Sequence, residues 1–355
     1  MVSFSAPDPD TPGQTNESAP VDDITLISAI QGAGTDSALD GETVKVEAVV
    51  TLLAPALNGF FVQEQVSDYD DNALTSEGVF VYSNGAYLDA IAVGDLVQVS
   101  ATVGAYSGST QLTSVSDVSV VSSGNALPAA AKISLPWHPN ADPAARFEAL
   151  EGMRVTLKAD GDSSLVVSDT FTRYGEVGLT TDTLLVQPTQ VHDYDSAEAA
   201  ALLTQNSQNI LHVEDAQNDA LSSAPRAGDG VLGNSVSGVL HESFGDYKIE
   251  TNGPIQFDPS INPFPREDEA PDVGGDFQVA SFNVLNLFTT LDDGSQTANG
   301  NDPRGAETAG DLANQTAKLV TALLALDAEI VGLMEIENDF EAGAAGNALE
   351  YLVDE

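Results

Sequence analysis

Between Thr43 and Val121, apolar residues return at about every second position, in runs too short for helices. The runs are TVKVEAVVTLL, GFFVQEQ, GVFVYS, DLVQVSATVGAYS and STQLTSVSDVSVV, with Gly, Asn and Asp between them. Strand side chains alternate between two faces, whereas helical positions recur every 3.6 residues. Val, Phe and Tyr dominate these runs, as they do on half-buried pleated surfaces. Five short strands with almost no helical periodicity predict a small β-barrel over residues 22–125, and a five-stranded OB-fold is the best fit. Phe60, Phe61, Phe80 and Tyr82 read as core of that barrel rather than as a stacking platform.

A second block, residues 130–258, repeats this grammar. EGMRVTLKAD echoes GETVKVEAVV, and GNSVSGVLHESFGDYKIET echoes GDLVQVSATVGAYSGSTQLTS. In both, a bend with an aromatic and a Gly (Tyr106 and Gly108; Phe244 and Gly245) joins two strands. The spacing differs between copies, which predicts a duplicated architecture, a second β-barrel-like domain, and not a tandem repeat. The inserted AEAAALL predicts a short helix, with its Asn/Gln-rich tail as loop. Residues 1–21, rich in Pro, Asp, Ser and Thr, read as a linker, and so do residues 259–276 with INPFPREDEAPDVGGD.

Composition narrows the partners. Of 355 residues, 55 are acidic and 11 basic, a net charge of −44. Such a surface repels phosphate backbones at low salt and suits salty or cation-rich surroundings. The first 131 residues hold one base, Lys45, which argues against a groove that tracks a nucleic-acid backbone. The second block, with Lys132, Arg146, Arg154, Lys158, Arg173 and Lys248, is the better candidate for such contact. There is no cysteine, hence no disulfide and no thiolate ligand. No apolar stretch approaches the ~18 residues of a membrane span. The start, MVSFSAPDPDTPG, has neither the basic nor the apolar segment of a signal peptide. DYDDNALTSEG sets Asp68, Asp70 and Asn72 at the alternate positions of a calcium loop, but Ala73 and Val79 stand where such a loop has Gly and Glu. It reads as a solvated hairpin loop, with a weak Ca²⁺ site as the lesser reading.

After residue 276 the periodicity changes. FQVASFNVLNLF reads as a buried strand. DLANQTAKLVTALLALDA puts Leu312, Leu319, Val320, Leu323 and Leu324 at helical spacing, with Asp311 as the expected N-cap. EIVGLMEIEN reads as a second buried strand, and a further helix begins near Ala345. Strand, crossover helix and strand predict parallel neighbours whose carboxyl ends share one rim, where α/β sheets bind ligands. Asn283 and Glu335 fall at that rim. An amide beside a carboxylate is oxygen chemistry suited to Mg²⁺ or Mn²⁺. By strand alternation Glu335 and Glu337 share a face, so Glu337 could support the same ion.

VASFNVLNLFTT, DPRGAETA and LDAEIVGLMEIEN resemble the opening of the endonuclease/exonuclease/phosphatase superfamily, and more closely the large extracellular bacterial nucleases of the ExeM/NucH type. GFFVQE…SEGVFVY…VGDLVQV…YSGSTQLT resembles the OB-like domain that precedes the catalytic domain there, and EGMRVTL, TRYGEVGLT and VQPTQV the intervening region. The likeness spans roughly residues 24–340, in the family's order. With the repeated grammar of the second block, the chain reads as two small OB-like barrels followed by the first part of an α/β catalytic domain, residues 277–355; the likeness implies an extracellular metal-dependent nuclease acting on DNA. Asn283 and Glu335 would be the catalytic and metal-site residues, Glu337 a further metal ligand, Arg304 a phosphate contact, and Mg²⁺ or Mn²⁺ the cofactor.

Two departures bear on activity. The family's basic RQ pair on the crossover helix is Asn314–Gln315 here. The later GDFN and SDH elements, which supply the remaining ligands and the general-base or acid histidine, do not occur after Glu337. His138, His192, His212 and His241 all precede residue 277 and read as loop or surface residues. The expectation is a piece that is inactive or nearly so by itself. A non-catalytic OB-fold module or spacer, or another phosphoesterase of the same superfamily, is the alternative.

Overall fold

A computed structural model describes residues 23–136, 143–170, 175–215, 225–265, 267, 269–339 and 347–355. The predicted linker 1–21, His138 and Arg173 lie outside the described residues. The molecule is a β-rich, multidomain protein whose chain divides into two units after Pro265.

In the first unit a short helix, α1 (Ile27–Gln31), precedes five strands: β1 (Thr43–Ala54), β2 (Gly59–Gln63), β3 (Gly78–Tyr82), β4 (Leu96–Tyr106) and β5 (Ser109–Ser122). They close into a ring in the order β1-β2-β3-β5-β4, with β4 returning to β1. Every neighbouring pair is antiparallel except β3 with β5. Alternation fills the ring with Val46, Val50, Phe60, Val62, Val79 and Val81, all 0 % exposed. Ile27 and Ile30 of α1 join the same core. Phe61 and Phe80 are also buried, whereas Tyr82 is exposed.

The second block comprises β6 (Ala131–Ile133), α2 (Pro143–Glu148), β7 (Arg154–Lys158), β8 (Leu165–Asp169), β9 (Val177–Thr181), α3 (Ala197–Gln208), β10 (Leu211–Asp215), β11 (Gly230–Val231), β12 (Ser235–Ser243), β13 (Asp246–Thr251) and β14 (Phe257–Asp258). These nine strands form one sheet in the order β14-β11-β8-β9-β10-β13-β12-β7-β6. This differs from the expected second barrel. The terminal strands β14 and β6 do not pair with each other, and β6–β7 and β10–β13 run parallel. The expected duplication survives in the strand pairing: the antiparallel pairs β7–β12, β12–β13 and β8–β9 repeat β1–β4, β4–β5 and β2–β3 of the ring. α3 runs through the predicted Asn/Gln loop as far as Gln208; the Ser196 hydroxyl accepts from the Ala199 amide and caps its start.

Ring and sheet pack into one unit. Leu52, Ala54, Phe61, Phe80 and Val239 make a shared apolar contact. Gln63 Oε1 accepts from the Arg154 amide at 2.9 Å, and the Ser76 hydroxyl donates to the Glu151 carbonyl. Glycine is required at the seam: Gly152 has φ +72°, and a Cβ on Gly78 would lie 2.2 Å from the Gly152 carbonyl carbon.

The second unit holds β15 (Val279–Leu287), α4 (Ala309–Leu326), β16 (Ile330–Ile336) and α5 (Ala348–Asp354). β15 and β16 are parallel neighbours and α4 is their crossover, as the periodicity predicts. Leu312 and Leu319 of α4 and Leu352 of α5 pack on Val284 and Leu287. The N-cap of α4 is Thr308, not the expected Asp311. Thr308 Oγ1 accepts from the Asp311 amide at 3.2 Å and its hydroxyl donates to Asp311 Oδ2 at 2.6 Å, so Asp311, three residues in, orients the capping hydroxyl. Nor are the two strands buried on both faces. Val279 is 67 % and Ile330 52 % exposed, because the described helices cover one face only.

Candidate active site at the rim of the parallel strands

The rim is built from two backbone irregularities. β15 and β16 keep register from Val279–Ile330 to Asn283–Met334, then slip before Leu287 meets Ile336. Leu285 and Asn286 lie in the left-handed region, with φ 53° and 54°. Two groups hold this bulge. Asn283 Oδ1 accepts from the Leu285 amide at 2.8 Å, and Gln315 Nε2 of α4 donates to the Val284 and Leu285 carbonyls at 3.2 and 2.8 Å. On β16, Glu335 is itself left-handed, φ 62°. A long side chain in that region costs about 1–3 kcal/mol, and such residues gather at functional sites.

These bends decide where the predicted side chains go. Glu335 is exposed, and its carboxylate makes no hydrogen bond among the described residues. The ladder partner of Asn283 is Met334, the residue before Glu335, so both predicted residues sit where the regular pairing of the two strands ends. Glu337 does not share the Glu335 environment that alternation predicts, because the turn at Glu335 breaks the alternation. It is 1 % exposed. Its Oε2 accepts from the Thr289 amide and hydroxyl at 2.9 and 3.2 Å and from the Thr290 amide at 3.1 Å; its Oε1 accepts from the Thr290 hydroxyl at 2.7 Å. A buried carboxylate so satisfied is an anchor for the chain after β15.

A cleft of about 730 Å³ opens on this rim; Glu335, Glu337, Arg304, Asp302, Asn286 and Asn338 are among its lining residues. Glu335, Glu337 and Arg304 are thereby brought together, while Asn283 stays outside the lining. Asn299 Nδ2 donates to the Asn338 carbonyl at 3.1 Å and ties the long polar loop to the end of β16. Arg304 is exposed at the cleft edge. Gly305 beside it leaves no room for a side chain, since a Cβ there would lie 2.7 Å from Phe288 Cβ.

Mg²⁺ is commonly held by one or two carboxylates together with substrate phosphates and water. Glu335 fits as one such ligand: its carboxylate is unspent and faces the cleft. Glu337 and the Asn283 carbonyl oxygen are already engaged in hydrogen bonds. Among the described residues, no three His, Asp or Glu side chains gather as a metal-binding group. The rim thus offers part of a hard-cation site. Thr289, Thr290, Gln315 and Gly305 were not singled out from sequence for these roles; the Thr pair directly after the first strand was the only local signal.

The other predicted residues are elsewhere. Asp70 Oδ1 accepts from the Asn72 amide at 2.7 Å, and Asn72 Oδ1 from the Leu74 amide at 3.2 Å, so both shape their own loop. His192 is exposed, as expected. His212 is half-buried 3.7 Å from Asp169. His241 corrects the surface expectation: it is 7 % exposed, its Nδ1 is 3.4 Å from Glu250 Oε1, and its ring lies against Phe61 and Phe80. Strand alternation on β12 turns it into the seam.

Residues 119–257 match a family described as a domain of unknown function (DUF8508). The match begins inside β5, ends in β14 and covers the nine-stranded sheet. No curated protein and no solved structure matches the chain.

Proposed function

We propose that the second unit is the opening part of a metal-dependent phosphoesterase domain of the endonuclease/exonuclease/phosphatase type, in an extracellular nuclease whose substrate is DNA. The ring of β1–β5 is then its OB-like module. One observation carries this reading: a strained, unspent Glu335 carboxylate at the carboxyl end of a parallel strand pair, in a cleft shared with Arg304. The motifs around Asn283, Arg304 and Glu335 support the same assignment.

A bound Mg²⁺ or Mn²⁺ supplies polarisation of a phosphoryl oxygen and stabilises the leaving oxyanion. The chain's own groups do the placing. Glu335 would hold the ion, and Arg304 would offset phosphate charge at the cleft edge. Glu337 fixes Thr289 and Thr290, and Gln315 with Asn283 fixes the bulge beside the rim. No histidine lines the cleft among the described residues, so no residue here is assigned to water activation.

Mn²⁺ provides the test. Added to isotope-labelled protein, it should broaden the amide signals of residues 333–338 and 300–305 in wild type and leave them sharp in Glu335→Ala. Plasmid cleavage with Mg²⁺ or Mn²⁺ should be weak or absent in the 355 residues and strong in any longer form that supplies a base. No Mn²⁺ broadening in wild type, or broadening kept in Glu335→Ala, refutes the assignment. A spacer role for the ring has its own support, because Gly78, Gln63 and Phe61 are spent on the contact with the sheet.

A further inference from the structure

Glu64 and Glu77 face each other across β2 and the start of β3; the Glu64 amide donates to the Glu77 carbonyl at 2.9 Å. They are 1 % and 4 % exposed. One oxygen of each carboxyl is used: Glu64 Oε1 accepts from the Ile27 amide of α1, and Glu77 Oε1 from the Asp70 amide at 3.2 Å. The remaining oxygens, Oε2 of each, are buried and receive no hydrogen bond from any other group. Two ionised carboxylates accept only, and like charges directly opposite in a sheet repel. A positive particle between them is what the geometry lacks.

A divalent metal fits poorly, since Ca²⁺ takes six to eight oxygens and this pair offers two. A proton fits, because one protonated carboxyl can donate to the other. We propose that Glu64 and Glu77 share a single proton, and that this proton fastens the segment 66–77 to the barrel and releases it in alkaline solution. The surroundings agree. α1 contributes no charge to the pair, only the Ile27 amide. The segment contributes Asp68, which raises the Glu64 pKa further, and Tyr69, whose hydroxyl accepts from Gln63 Nε2 at 2.6 Å. Across the seam Arg154 is turned away, its guanidinium donating to the Pro128 carbonyl. Burial first, then the hydrogen bond and charge of Glu77, push the Glu64 carboxyl up to about 9. Tyr69 to Thr75 form one wall of a cleft of about 620 Å³ opposite Lys132, Arg146, Leu150 and Met153, so release of the segment opens this cleft.

Carboxyl-carbon NMR of the whole chain, labelled at glutamate, tests the idea. In wild type one glutamate pair should titrate with an upper midpoint near pH 9, and that transition should vanish in Glu64→Gln, whose amide donates without titrating. Amide exchange of residues 66–77, corrected for intrinsic rates, should rise ~10-fold or more from about pH 7.5 to about pH 10 in wild type and less than ~2-fold in Glu64→Gln. Glu77→Gln, with the same expectation, serves if Glu64→Gln does not fold. The proposal fails if both carboxyls are ionised by about pH 6.5, or if wild type and variants release the segment alike. It also fails if millimolar CaCl₂ at about pH 9.5 restores protection in wild type, which would assign the pair to a metal ion.

Discussion

At the residue scale, Glu335 and Glu337 show how a pair of like side chains can be given opposite tasks by one backbone angle. The sequence displays two carboxylates at the end of an apolar run. It does not display the left-handed turn at Glu335, which leaves one carboxylate exposed in the cleft and buries the other among the Thr289 and Thr290 donors. That strain sets up a prediction. Glycine adopts φ 62° without a Cβ penalty. Glu335→Gly should therefore stabilise the second unit by roughly 1 kcal/mol while abolishing Mn²⁺ binding at the rim. Thermal melting read by NMR signals of β15 and β16 checks the first part, and Mn²⁺ broadening checks the second. Loss of stability in Glu335→Gly would show that the turn is not strained and that Glu335 is held there for packing.

At the scale of elements, what was legible was periodicity. Alternation located the five strands of the ring, and the 3.6-residue spacing of Leu312, Leu319 and Leu323 located the crossover helix. Ends were less legible, because caps are decided by side chain–backbone bonds. Asp311 looks like a cap, but Thr308 provides it, and Asp311 answers from the first turn. Removing a Thr cap typically costs about 1 kcal/mol. Thr308→Ala should lower the second unit's stability by about that amount, and Asp311→Ala by less, because Asp311 does not supply the capping oxygen. Urea titrations followed on α4 amide signals compare the two. An equal or larger loss in Asp311→Ala would return the cap to Asp311. Helix extent misled in the same way at α3, where Ser196 starts a helix strong enough to run through a polar tail.

At the scale of the whole first unit, the sheet was the part the sequence hid. Hairpins are read from neighbouring residues, but the parallel pairs β6–β7 and β10–β13 join strands with other elements between them and leave no local mark. The seam was hidden for the same reason: Gly78 and Gly152 stand in the runs GVFVYS and EGMRVTLKAD without any local sign of a contact, yet each is what lets the other's backbone come close. An alanine at 152 takes an unfavourable φ of +72° and would put its Cβ 2.5 Å from the Gly78 carbonyl carbon. The expected cost is about 2 kcal/mol or more, concentrated at the contact between ring and sheet. Glu151, next in the chain, adds a pH dependence to the same contact. It is 2 % exposed, and burial, aided by the charges of Glu148 and Glu242, raises its pKa from 4.5 to about 8. A carboxyl whose folded pKa is raised binds more protons folded than unfolded, so its share of stability is full below 4.5 and is lost as pH rises through about 8. Calorimetry of wild type should therefore show ring and sheet melting together at pH 6, with the melting temperature falling towards pH 8.5. Gly152→Ala should split the transition in two at both pH values, and Glu151→Gln should flatten the decline. A single unsplit transition in Gly152→Ala would mean that the ring and the sheet are coupled by something other than this glycine contact.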